Sequence, residues 1–196
     1  MNAKPVKKTN IVYLLLVILV PIAVIILGGA IGANFFREGG TGAVVCFMCP
    51  TALAVAWWIL GPTTIWNQKK KKMMKLLKEQ GFNRNQTFYG SNQTVAVDIR
   101  QGKVALLFFW NPFELFVLPA SRIARAWAED GAAGAGFLRG TSRVSFLFLI
   151  DNVKVRVNTF TSNQRWKMDD PKILEAVSKA DMMIQVLDAA KQSSGE

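Results

Sequence analysis

Histidine is missing from all 196 residues. Its absence removes the commonest general base, the usual hydrolytic triads and most zinc or haem sites. Cysteine occurs twice, as Cys46 and Cys49 in one apolar stretch, so the rest of the chain has no disulfide framework. Acidic residues are scarce: 13 Asp and Glu face 24 Lys and Arg, a net charge of +11. Charge of either sign is lacking from Ile11 to Ile31 and from about Thr41 to Trp66. No HxxE, Walker lysine or GxSxG motif is present, and no paired carboxylates stand out. A non-enzymatic role is the expectation.

The charge that is present is segregated. Lys4, Lys7, Lys8 and Arg37 against Glu38 leave residues 1–66 at +3. Residues 67–80 hold six lysines against Glu79, a net of +5, and residues 81–196 add a further +3. A nucleic-acid-binding domain would spread its basic charge over the folded part, so nucleic acid is not the expected partner.

Each charge-free stretch supplies the ~20 residues needed to cross a bilayer core. Between them, Asn34 to Gly40 form a short polar turn with Arg37 and Glu38. Residues 11–66 are therefore expected to be a transmembrane helical hairpin that returns the chain to its starting side. Lysines flank the hairpin on both sides (Lys4, Lys7 and Lys8 before, Lys69 to Lys72 after), while the turn offers only Arg37. By the positive-inside rule, residues 1–10 and the C-terminal part face the cytoplasm, with Trp66 as interfacial anchor. A cleaved signal peptide is the rival for residues 1–31, but its apolar core would span only ~7–15 residues.

Pro21 should kink the first helix. Gly28 and Gly32 form a GxxxG pair, a spacing that lets helices approach closely. Their partner is either a small face at Ala52 and Ala56 on the second helix or, in the sharper reading, a second copy of the chain. Cys46 and Cys49 make a CxxC without further thiols, imidazoles or carboxylates beside it. They read as small apolar filler, and neither metal nor cofactor is expected.

In residues 67–82, Lys69, Lys70, Lys71, Lys72 and Lys75 surround Met73, Leu76 and Leu77, which fall at i, i+3 and i+4. This spacing predicts a short amphipathic helix that continues the second span and ends near Gly81. Such a helix is either a stop-transfer flank or a binder of anionic lipid headgroups, at about 1 kcal/mol per basic residue. Met73 and Met74 stand between anchor and domain, where internal initiation would yield a soluble form.

From Asn83 the apolar period becomes two. Expected strands lie near Thr87 to Tyr89, Val95 to Ile99, Lys103 to Trp110, Phe113 to Leu118, Ile123 to Glu129, Val144 to Ile150 and Val153 to Val157. Asn111-Pro112 is read as a break, Gly131 to Gly140 as a flexible loop and Asp151-Asn152 as a tight hairpin. Asp169-Asp170-Pro171 then opens a helix with an apolar stripe of Ile173, Val177, Ala180, Ile184, Leu187 and Ala190. Arg125, Trp127, Arg143, Lys154 and Arg156 are the candidate partner-binding residues, an aromatic and cationic surface suited to an acidic protein or lipid headgroups. The alternative is an ordinary solvated strand face.

The expected cytoplasmic domain is residues 83–196, and within it, over residues 85–192, about seven antiparallel strands closed by a C-terminal helix resemble the pleckstrin-homology-like order, a bent sheet or barrel capped by one helix. The phrases Val95-Ala-Val-Asp-Ile, Gly102-Lys-Val-Ala-Leu and Leu118-Pro-Ala-Ser-Arg-Ile, with Trp127 shortly after, resemble bacterial PH-like membrane-associated families. A generic α+β domain is the alternative. The anatomy is also similar to that of small mobile-element proteins, such as plasmid exclusion and toxin-immunity proteins. That resemblance implies a bacterial inner-membrane protein that blocks a protein partner. The competing expectation is an accessory subunit of a membrane transport or secretion complex, or an anionic-lipid-binding protein.

Overall fold

The computed structural model describes residues 5–35, 40–83, 86–90, 92–133 and 140–195. The expected turn residues Arg37 and Glu38 lie outside them. The chain divides into two compact units: a helical one of Lys7–Met73 with Phe109–Phe113, and a mainly β one of Met1–Val6, Met74–Phe108 and Glu114–Glu196.

In the helical unit, α1 runs over Ile11–Phe35 and α2 over Thr41–Glu79, whose last turns belong to the β unit. Both helices are long and apolar enough to cross a membrane. Ile11, Ile26, Leu53 and Ile59 are each more than 60% exposed, as side chains facing lipid rather than a protein core would be. Asn10 caps α1, its side-chain oxygen accepting from the Tyr13 backbone N–H at 3.2 Å.

Both helices continue through their prolines, Pro21 in α1 and Pro50 and Pro62 in α2. Proline at position 21 removes the N–H that would bond the Val17 carbonyl one turn back. The Trp58 indole N–H of α2 donates to that freed carbonyl at 3.2 Å. A group that lipid could not satisfy is thus satisfied by the neighbouring helix.

The inward ridge of α1 is Tyr13, Val17, Pro21, Gly28 and Gly32, all buried. A Cβ on Gly28 would clash with the Pro50 ring and stand 2.8 Å from the Cys46 carbonyl oxygen. The GxxxG face is therefore used inside the hairpin. Its partner on α2 is Cys46, Pro50 and the buried Ala54. Ala52 and Ala56, the expected partners, are exposed instead. Small size alone did not distinguish three alanines two residues apart; the face that carries Pro50 does.

The lysine-rich segment and the second span are one helix. It stops as expected, with Gly81 at φ +73°. Phe82 N–H donates to the Leu77 carbonyl at 3.0 Å and Gly81 N–H to the Lys78 carbonyl at 3.1 Å. This is a Schellman cap, and its characteristic apolar contact is present: Leu77 and Phe82 are buried together with Ala96 and Ala105.

Among the described residues, the β unit holds seven antiparallel strands in two open sheets and one closing helix. The first sheet has the order β1 (Gln86–Tyr89), β2 (Gln93–Asp98), β3 (Lys103–Phe108), β4 (Asn111–Pro119); the second has β5 (Ile123–Ala133), β6 (Gly140–Ile150), β7 (Val153–Lys167). A single 3-10 turn, Ala120–Arg122, joins them. The period of two sends Val95, Val97, Val104 and Leu106 of the first sheet and Phe146, Phe148 and Ile150 of the second into one core. Fully burying each such side chain stabilises by roughly 1.5–3 kcal/mol. On the opposite face of the first sheet, Ala96 and Ala105 share a rung, leaving the flat spot that Leu77 and Phe82 cover.

Asp98, fully buried, ends β2 by accepting from the backbone N–H of Asn83 at 2.6 Å and of Gln101 at 3.1 Å. Gly102 follows at φ +58°, where a Cβ would lie 2.5 Å from Ser194 Cβ.

Helix α3 (Pro171–Ser193) starts where expected, the Asp170 carboxylate accepting from Lys172 N–H at 2.9 Å. Its buried stripe is Ile173, Ala176, Ala180, Met183, Val186, Leu187 and Ala190. Val177 and Ile184 are half-buried, so the stripe is broader than expected and centred slightly to one side. Two further boundaries differ. The β3–β4 hairpin turns at Phe109–Trp110, ahead of Asn111-Pro112. Strand β7 runs to Lys167, ten residues past Val157, its polar half pairing across bulges with the start of β6. Strand β5 enters the expected Gly131 to Gly140 loop as far as Ala133; residues 134–139 of that loop lie outside the described ones.

Candidate functional site

Sheet pairing assembles the outer face of β5–β7 rung by rung. Arg125 pairs with Leu149 and that with Lys154; Trp127 with Leu147 and that with Arg156; Glu129 with Ser145 and that with Asn158. The middle strand carries the small or apolar members, and Leu147 and Ser145 are buried. The outer strands carry the ring and the charges.

Two cations from the neighbouring rung approach the Trp127 ring, Arg125 at 5.4 Å and Lys154 at 5.3 Å from its centroid. Each contact is worth about 0.5–1 kcal/mol at an exposed site. Glu129 ties the other edge, bonding Arg156 at 2.8 Å and approaching Lys154 at 3.7 Å. The structure thus brings together Arg125, Trp127, Lys154 and Arg156. Arg143 stands apart, opposite Thr161 and beside Gly131. Glu129 is not among the candidates nominated from the sequence, although strict alternation from Arg125 and Trp127 puts it on their face.

A second cluster lies within the helical unit, at the level where both apolar stretches end. Trp66 packs on Phe109 at 5.8 Å between centroids, and Tyr13 on Phe113 at 5.5 Å. The Lys69 ammonium stands 4.9 Å over the Phe113 ring and that of Lys70 5.9 Å over Trp66. Asn10 N–H donates to the Trp110 carbonyl at 2.8 Å, and the Asn111 side-chain amide to the Lys7 carbonyl at 2.9 Å. Of the lysines expected to face headgroups, Lys69 and Lys70 are half-buried over rings and Lys71 and Lys72 are exposed. Lys75 is exposed in the β unit, with Glu79 at 3.8 Å.

The exposed face of α2 forms an apolar groove of about 550 Å³ lined by Met48, Thr51, Ala52, Val55, Ala56 and Ile59. In the β unit, a smaller polar cavity of about 200 Å³ lies among Thr87, Asn158, Thr159, Lys179 and Met183. Cys46 is half-buried and Cys49 exposed. Among the described residues, no group of three or more Cys, Asp and Glu is placed to hold a metal ion. No protein-family model matches the chain, and comparison with curated proteins and with solved structures gives no match.

Proposed function

We propose that this chain is a non-enzymatic binding protein anchored in the bacterial inner membrane by α1 and α2. Its β unit is read as a PH-like domain in the cytoplasm that engages a protein partner. The observation that carries the reading is the Trp127 ring with the Arg125 and Lys154 cations both against it on an open sheet face. Tryptophan and arginine dominate the energetic centres of protein interfaces, and here the ring is fixed in place before any partner arrives. Arg125 is exposed and suits a carboxylate beside the ring. Confinement to a membrane raises the local concentration of such a module, so modest contacts suffice. Blocking a membrane partner, as plasmid exclusion and toxin-immunity proteins do, is work that needs no catalytic group.

The test is mild cross-linking and affinity capture from native membranes with the full chain, beside Arg125→Glu and Trp127→Ala variants. A protein captured by the natural chain and lost at least tenfold with either variant supports the reading. Equal capture by all three refutes it. A reporter fused after Glu196 should signal from the cytoplasmic side; a periplasmic signal overturns the topology.

A second reading is favoured by the α2 groove: an accessory subunit of a membrane complex, or a self-associating chain, whose helices make the main contacts. Replacing α1 and α2 with an unrelated helical hairpin separates the two readings. Activity retained after the swap favours the sheet face, and activity lost favours the helices.

A further inference from the structure

The reversal between β3 and β4 belongs to the helical unit, and it carries three aromatic side chains in five residues, Phe109, Trp110 and Phe113. Hairpin tips ordinarily take glycine, asparagine or aspartate because those residues accept the backbone angles of the turn and are well solvated. Aromatic rings at a tip need another apolar environment. Phe109 finds part of one against Trp66. Trp110 meets only the edge of Phe109 and Phe113 that of Tyr13, so they remain 36% and 45% exposed.

Their position shows what could cover them. Backbone and side-chain hydrogen bonds pin Trp110 and Asn111 to Asn10 and Lys7, immediately before α1 and its charge-free stretch begin. Phe113 is pinned to the first turn of α1 through Tyr13 and to the end of the α2 charge-free stretch through Lys69. The rings thus sit at one level, where two apolar helices give way to lysine. Tryptophan and other aromatic rings concentrate at that level in membrane proteins, and lysine ammoniums there meet lipid phosphates.

We propose that the Phe109–Phe113 tip is a third membrane-contacting element, with Trp110 and Phe113 seated in the headgroup layer beside Lys7 and Lys69. The inference rests on the reading of α1 and α2 as membrane spans. It adds that a β-hairpin, remote in sequence from both helices, completes the interfacial belt. The partner is the lipid surface itself, with the glycerol-proximal acyl segments against the rings and phosphate against the ammoniums.

The experiment places a photo-reactive benzophenone side chain singly at Trp110, Phe113, Leu15 or Tyr89 of the full chain in lipid nanodiscs. Leu15 is exposed on α1 and Tyr89 is exposed on β1, so they serve as positive and negative references. Lipid adducts at Trp110 and Phe113 approaching the Leu15 level, and several-fold above Tyr89, are expected. Adducts at Leu15 but only Tyr89-level signal at the tip would overturn the inference while leaving the spans in place. No adducts at any site, Leu15 included, would remove both. Because the large probe could disturb the tip, quenching by lipids brominated near the headgroup is measured in parallel. The emission lost in Trp110→Phe should be quenched preferentially; an unquenched Trp110 contribution would also count against the proposal.

Discussion

The β6–β7 hairpin reverses over Asp151 and Asn152, both at positive φ, 49° and 64°, whereas the β3–β4 hairpin reverses over Phe109 and Trp110. The first is a two-residue type I′ turn between paired Ile150 and Val153, and its residues are among the few that accept that conformation. Asp151 also reaches back to the Arg122 guanidinium through two hydrogen bonds, that to Nε at 2.8 Å. The second hairpin has no residue at its tip that favours reversal. It is held by Trp66, Asn10 and Lys7, some 40 to 100 residues away in the chain. One tip is specified by its own conformational energies, the other by partners.

The most forceful way to break this contrast is Trp66→Ala. Trp66 is 6% exposed and its ring faces Phe109; truncating a buried tryptophan costs about 3–5 kcal/mol. Amide exchange should accelerate from Phe109 to Phe113 and stay unchanged at Asn152 and Val153. Equal acceleration at both hairpins would show that the β3–β4 tip does not depend on Trp66 in particular.

Asp151→Ala strikes the other hairpin. It removes a turn-forming residue and leaves the Arg122 guanidinium, with a side chain 23% exposed, without its carboxylate. Hydrogen bonds to a charged group are worth about 1.5–3 kcal/mol, and a stability loss in that range is expected, read from the fall in denaturant midpoint of the purified chain. Asp151→Asn keeps tolerance of positive φ and loses only the charge, so it should fall between Asp151→Ala and the natural chain. If the two variants are equal, the turn residue contributes nothing beyond its pair with Arg122.

The contrast also explains what could be read from the sequence. Features set by neighbours along the chain were legible: the two charge-free stretches, the Gly81 stop, the Asp151-Asn152 reversal, the Asp170-Pro171 start and the alternation that fills the core. Features set across space were not. The turn at Phe109–Trp110 is hidden inside an apolar run because Trp66 and Asn10 supply its reason. The polar half of β7 lacks alternation because bulges opposite Arg143 and Ser145 break its register. Ala54 rather than Ala52 or Ala56 is buried because it shares the face of Pro50, which lies against Gly28. The Trp58 bond to Val17 follows from Pro21 only once the two helices are side by side. In the candidate site, Arg125, Trp127, Lys154 and Arg156 could be nominated from residue type and alternation. Glu129 acquires its role only when β6 brings β7 across from β5.

The smallest effect expected is that of Asn152→Gly, and it sharpens the comparison most. Glycine takes positive φ without a Cβ clash, but it enlarges the conformational freedom of the unfolded chain. Asparagine already tolerates the left-handed region, so the two terms nearly cancel and stability should shift by no more than about 0.5 kcal/mol. Asn152→Val, which cannot relieve the clash, should lose about 1–2 kcal/mol. This pair measures how far local backbone preference alone sets the turn. At the other tip, Trp110→Gly has no positive φ to relieve, and shape at that position matters only through what the ring touches. Any stability lost there in a lipid bilayer, and regained in its absence, would come from the lipid-facing ring and not from the turn.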